Sequence, residues 1–83
     1  MSDINQDGFQ HVNDFAAKVA ERVKQLRKKK GYSNQEHFAW DHGLSRSQYG
    51  KWEQGADMRI SSLERLFNAL EITPREFFSE GFE

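Results

Sequence analysis

Apolar residues recur at helical spacing along most of the chain, and the runs are separated by glycine, proline or helix-capping residues. From about Asp14, a capping residue, Phe15, Ala16, Val19, Ala20, Val23 and Leu26 mark the inner face of a first helix that Gly31 closes. Ser33 or Asn34 caps a second helix running to about Asp41. Phe38 and Ala39 point inward from it, and the small Ala39 lets the next helix cross closely. Gly43 offers the φ > 0 conformation that a chain leaving a helix needs before it turns. Ser45 with Gln48 then forms a capping box for a third helix, and Leu44 can staple onto Tyr49. Residues 56–60 show no periodicity and form a loop. Ser61 with Glu64 is the expected cap of a fourth helix carrying Leu63, Leu66, Phe67 and Leu70. Thr73-Pro74-Arg75-Glu76 opens a short fifth helix that ends near Ser79, with Ile72 and Phe77 as its staple. No stretch alternates with the period of a strand, so the expected fold is all-α, a bundle of five short helices. Residues 1–12 are polar and aperiodic and are expected to form a flexible arm before a single domain over 13–83.

The third helix has two unlike faces. At 100° per residue Tyr49 and Trp52 fall together on one side, and Ser47, Gly50, Lys51 and Gln54 gather on the other, with Arg46 at its edge. Two large rings anchor such a helix. The opposite face then presents little except hydrogen-bonding groups, which suits base edges in a major groove, although a merely solvated face would look the same by composition.

Charge sharpens the choice between these readings. The 83 residues sum to a net charge of −1, which argues against an indiscriminate polyanion binder. The distribution is uneven, however: residues 1–17 hold three Asp and no base, residues 18–51 hold nine basic and three acidic side chains, and residues 52–83 hold three basic and seven acidic. The basic third overlaps helices 2 and 3, as a nucleic-acid face requires. The run Arg27 to Lys30 suits either the negative end of the helix dipole or a phosphate contact.

Other chemistries find no support. Cysteine is absent, so neither a disulfide nor a thiolate metal site is expected, and a cytoplasmic setting fits. His11, His37 and His42 lack ligand spacing, so no metal is expected. No phosphate-cradling glycine loop or nucleophile–base constellation is present, so no cofactor, small-molecule substrate or catalysis is expected. No run of about 18 apolar residues suggests a membrane span, and the first ten residues do not resemble a signal peptide.

Taken together, the spacing from about Val19 to Phe78 resembles the Xre/Cro-type helix-turn-helix family, the phage-repressor-like DNA-binding domains. The resemblance rests on Gln35 opening helix 2, the Phe38-Ala39 pair, Gly43 four residues later, and the Leu44-Ser45-Arg46-Ser47 start of helix 3. It continues through Glu53-Gln54-Gly55 and Leu70-Glu71-Ile72-Thr73 before the last helix. It implies a repressor-like bundle with helix 3 as the recognition helix, and Arg46, Ser47, Lys51 and Gln54 facing bases. Gln35, Arg59 and Gln48 are implied at phosphates, although a capping box would occupy the Gln48 side chain. The family also implies a structural ion pair between Arg27 and Glu53. Three departures stand out: Gly50 on the outer face, a longer junction between helices 1 and 2, and the lack of Pro after Gly55. The function so implied is sequence-specific regulation of transcription, with double-stranded DNA as partner. Because the basic surplus is modest, a homodimer on a pseudo-palindrome is expected, with the Phe77, Phe78 and Phe82 tail as its candidate surface, although core packing is the stronger expectation for Phe77. The alternative is a protein-binding adaptor or antitoxin-like module that keeps the scaffold and engages a partner through its acidic C-terminal third.

Overall fold

A computed structural model describes the backbone of residues 2–82 and the side chains of residues 15–82. Five α-helices follow in order: α1 (Ser2–Lys29), α2 (Gln35–Asp41), α3 (Arg46–Glu53), α4 (Ile60–Leu70) and α5 (Pro74–Phe77). The boundaries of α2, α3 and α5 follow local chemistry closely. Asn34 rather than Ser33 caps α2, its side chain accepting from the His37 amide at 3.0 Å. Ser45 caps α3, accepting from the Gln48 amide at 3.4 Å, and Thr73 with Glu76 forms the full reciprocal box at α5.

The first helix is longer than expected. It begins at Ser2 and not near Asp14, so the backbone of residues 2–12, read as an arm, continues α1. The stretch holds no proline to stop propagation once the downstream turns are fixed, and Gly8 alone costs only about 1 kcal/mol. The side chains of His11 and Asp14, the expected cap, lie outside those described.

The fourth helix also starts early. Arg59 occupies the N-cap position without a side-chain bond, and the predicted Ser61–Glu64 box does not form because Ile60 is already helical. Burial decides the matter: seating Leu66 and Leu70 in the core fixes the axis of α4, and Ser62 is buried along with them.

One closure ends four of the five helices. After α2 the Leu44 amide donates to the Ala39 carbonyl at 2.8 Å and the Gly43 amide to Trp40 at 3.3 Å, with Gly43 at φ +67°. This is the Schellman pattern, repeated after α1 and α3. After α4 the same left-handed position is held by Glu71 at φ 56°, where a side chain costs about 1–2 kcal/mol. The exposed Glu71 carboxylate meets Lys30 from the end of α1, which places its pKa below the ordinary carboxylate value through that hydrogen bond and charge.

The core lies where all five helices meet. Tyr49, Phe38, Phe77, Leu66 and Val23 are its largest fully buried side chains, one from each helix. Phe38 meets Tyr49 with ring centroids 5.2 Å apart, and Tyr49 meets Trp52 edge-on at 6.2 Å. Phe15, expected on the inner face, is instead 53% exposed and stacks on Phe78 at 6.2 Å. Among the described side chains of α1, Val19 is the first to enter the core.

Candidate nucleic-acid interface

Helix α3 is held by its inner face. Tyr49 is fully buried, Trp52 is 3% exposed, and Glu53 at the helix end is buried too. Those three positions fix the rotation of an eight-residue rod, and the side opposite them bears Ser47, Lys51 and Gln54 in solvent. Arg46 stands exposed at its edge. Lys51 has no ion-pair partner among the described residues, so its charge remains available to an anion.

The anchor of this arrangement is a buried polar junction. Arg27 grips the Glu53 carboxylate with two bonds, Nε to Oε2 at 2.8 Å and Nη2 to Oε1 at 3.2 Å. A third bond runs from Arg27 Nη1 to the Tyr32 carbonyl at 2.7 Å, tying in the α1–α2 junction. The Tyr49 hydroxyl donates to Glu53 Oε2, and Gln35 Nε2 donates to Oε1 at 3.0 Å. Four donors on one carboxylate satisfy a buried charge that would otherwise be costly. The hydrogen bond to Glu53 raises the Arg27 pKa, and burial together with Glu53 raises that of Tyr49 far above the phenol range. Both therefore remain donors at any physiological pH.

This junction alters the expected role of Gln35. Its side-chain amide is committed to Glu53, so a phosphate at the start of α2 would meet its backbone amide and its second amide hydrogen. Gln48 moves the other way: its amide is capped by Ser45, but its side chain makes no return bond and stays exposed. Arg59, at the start of α4, is exposed, and its side chain has no ion-pair or hydrogen-bond partner among the described residues.

Gly50 is half-buried at the flank of the outer face, and a Cβ built there would meet Gln35 Oε1 at 3.6 Å, an ordinary contact. The residue faces α2. Gly50→Ala is therefore expected to stabilise the fold by about 1 kcal/mol in chemical denaturation, through helix propensity, with DNA affinity unchanged. A loss of affinity would place Gly50 against DNA.

Two contributions had no counterpart in the sequence reading. Arg22 is buried and donates to the Phe77 and Glu76 carbonyls at 2.7 and 2.8 Å, closing the end of α5 onto α1. Its signal was a basic residue within the apolar spacing of Val19, Val23 and Leu26. The second is the pair between Arg46 Nη1 and Glu36 Oε1, 4.0 Å apart.

In the aromatic tail Phe77 is fully buried in the core, Phe82 is half-buried against Phe77 and Phe15 at 6.0 and 5.8 Å, and Phe78 is the most exposed of the three. Exposed apolar surface gathers instead at Phe15, Ile60 and Phe78, beside a shallow groove lined by Met58 and Leu63. Among the described residues no helix is long and apolar enough to cross a membrane.

Comparison with known proteins bears on this geometry. The helix-turn-helix family profile matches residues 23–77. The chain is 34% identical over 70 residues to the control protein C.MunI of a Mycoplasma species, covering 83% of this chain and 95% of that protein. It is 38% identical to the restriction-modification controller protein C.AhdI of Aeromonas hydrophila. The crystal structure of C.AhdI superposes with a TM-score of 0.70 over 82% of this chain and 97% of that one.

Proposed function

The chain belongs to the helix-turn-helix family, of the Xre/Cro type, and is a sequence-specific DNA-binding regulator of transcription; from that premise we propose that α3 enters the major groove of an operator half-site. The observation that carries this reading is the rotation of α3: Tyr49, Trp52 and Glu53 are buried, so Ser47, Lys51 and Gln54 face outward with Arg46 beside them. Arg46 is suited to bidentate contact with guanine O6 and N7, and Ser47 and Gln54 to neighbouring base edges. Lys51 serves a base or an adjacent phosphate. Gln35, Gln48 and Arg59 serve the backbone on either side.

The protein acts as a homodimer in this reading. Phe15, Ile60 and Phe78 form the patch that a second copy covers around a two-fold axis, which pairs two half-sites about one helical turn apart. Ile60 is 83% exposed, so Ile60→Glu adds charge to the patch at little cost to the fold. Light scattering should then report a monomer where the parent chain is a dimer. An unchanged dimer would move the interface elsewhere.

Near full-length similarity to two control proteins, one described as a restriction-modification controller, supports a narrower role in controlling the genes of such a system. Selection of bound sequences from random DNA at stated salt tests both levels. A recovered pseudo-palindrome found upstream of nuclease or methyltransferase genes in the source genome is the expected result. Recovery of no motif would contradict sequence-specific reading, and a motif remote from such genes would contradict the narrower role.

A further inference from the structure

Glu36 of α2 and Arg46 at the start of α3 border two shallow concavities, one reaching Trp40, which is 75% exposed, and the other Ser45 and Ser47. Glu36 is the acidic residue that reaches a cation of the proposed DNA face, its Oε1 lying 4.0 Å from Arg46 Nη1. Asp41, the other acid of α2, is turned to the Tyr32 hydroxyl at 2.9 Å and His37 at 3.4 Å.

A carboxylate on a surface that meets polyanionic DNA is unfavourable unless it returns something in specificity. We infer that Glu36 is a positioning and selectivity residue acting through Arg46, an inference that rests on the major-groove reading above. The guanidinium has five N–H donors, of which a guanine takes two, so contact with Glu36 can persist while Arg46 reads the base. A phosphate in the same place would meet the Glu36 charge directly. Glu36 thereby turns Arg46 from a general anion binder into a base reader, by repulsion of the wrong ligand. The Arg46 and Glu36 side chains are 60% and 72% exposed, so the pair itself is weak, and the effect on random DNA is correspondingly about 1.4- to fivefold. Glu36 also lies in the first turn of α2, where it favours the helix dipole. That role alone would alter stability slightly and leave base choice untouched.

The test is a cycle of the parent chain, Glu36→Gln, Arg46→Ala and the double variant, each assayed on the selected operator, on single-base variants of it and on random duplex. Thermal melts establish that each is folded. Glu36→Gln should tighten random-DNA binding about 1.4- to fivefold, steepen the salt slope by about 0.9, and weaken discrimination at one guanine. In the Arg46→Ala background the same change should have none of these effects. If Glu36→Gln acts equally in both backgrounds, or leaves base choice unchanged, the inference is overturned while the groove reading stands. If Arg46→Ala itself leaves base choice unchanged, base reading by Arg46 fails and the inference fails with it.

Discussion

Arg27→Ala and Glu53→Ala should each destabilise the fold by about 3–5 kcal/mol, the range for stranding one member of a buried ion pair. For a chain of this size each kcal/mol corresponds to roughly 4–8 °C in Tm, and the whole fold is worth only about 5–15 kcal/mol. Either variant therefore approaches the limit of folding. The expectation follows from burial: Arg27 is 3% exposed and Glu53 6%, and the remaining bonds from Tyr49 and Gln35 leave the carboxylate without a countercharge once Arg27 is gone. The double variant Arg27→Met/Glu53→Leu, which removes both charges, should lose much less than the sum of the singles, as measured by thermal and denaturant unfolding. Full additivity would mean that the two side chains do not act as a pair. The consequence for recognition is mechanical, since this junction fixes the end of α3 to α1 and so sets which residues face outward.

Arg46→Ala and Lys51→Ala should reduce operator binding for different reasons. Loss of Arg46 is expected to cost about 1–3 kcal/mol of discrimination at one base pair, most directly a guanine, and to leave other positions unchanged. Lys51→Ala, where the lysine meets a phosphate, should weaken all sequences alike and reduce the salt slope by about one. Affinities on cognate and random duplex at several salt concentrations separate these outcomes. Two variants that retain both the parent affinity and the parent slope would exclude the outer face of α3 from the contact.

The sequence was most informative where one local interaction decides the structure. Ser45 and Thr73 cap the helices they were expected to cap, Gly43 takes the left-handed turn, and Tyr49 and Trp52 are buried as their spacing required. It was less informative where a residue has two good options and tertiary packing chooses. Ser61 could have capped α4, but the seating of Leu66 and Leu70 started the helix at Ile60. Gln35 could have faced a phosphate outright, but the buried Glu53 carboxylate drew its amide inward. Phe15 has the spacing of a core residue and instead lies exposed against Phe78 and Phe82 at the margin of the core. Arg22 and Glu71 were missed for a related reason: a buried arginine and a left-handed glutamate contradict residue preference, and their partners, carbonyls of α5 for Arg22 and Lys30 just after α1 for Glu71, are brought near only by the tertiary fold.

Whether the outward face of α3 lies in the major groove can be read by methylation interference on the selected site, because dimethyl sulfate marks guanine N7 in the major groove and adenine N3 in the minor groove of the same duplex. N7 methylation should block binding at guanines in two clusters about one helical turn apart, with N3 methylation between them tolerated. Binding that survives N7 methylation throughout and is lost on N3 methylation would exclude α3 from the major groove.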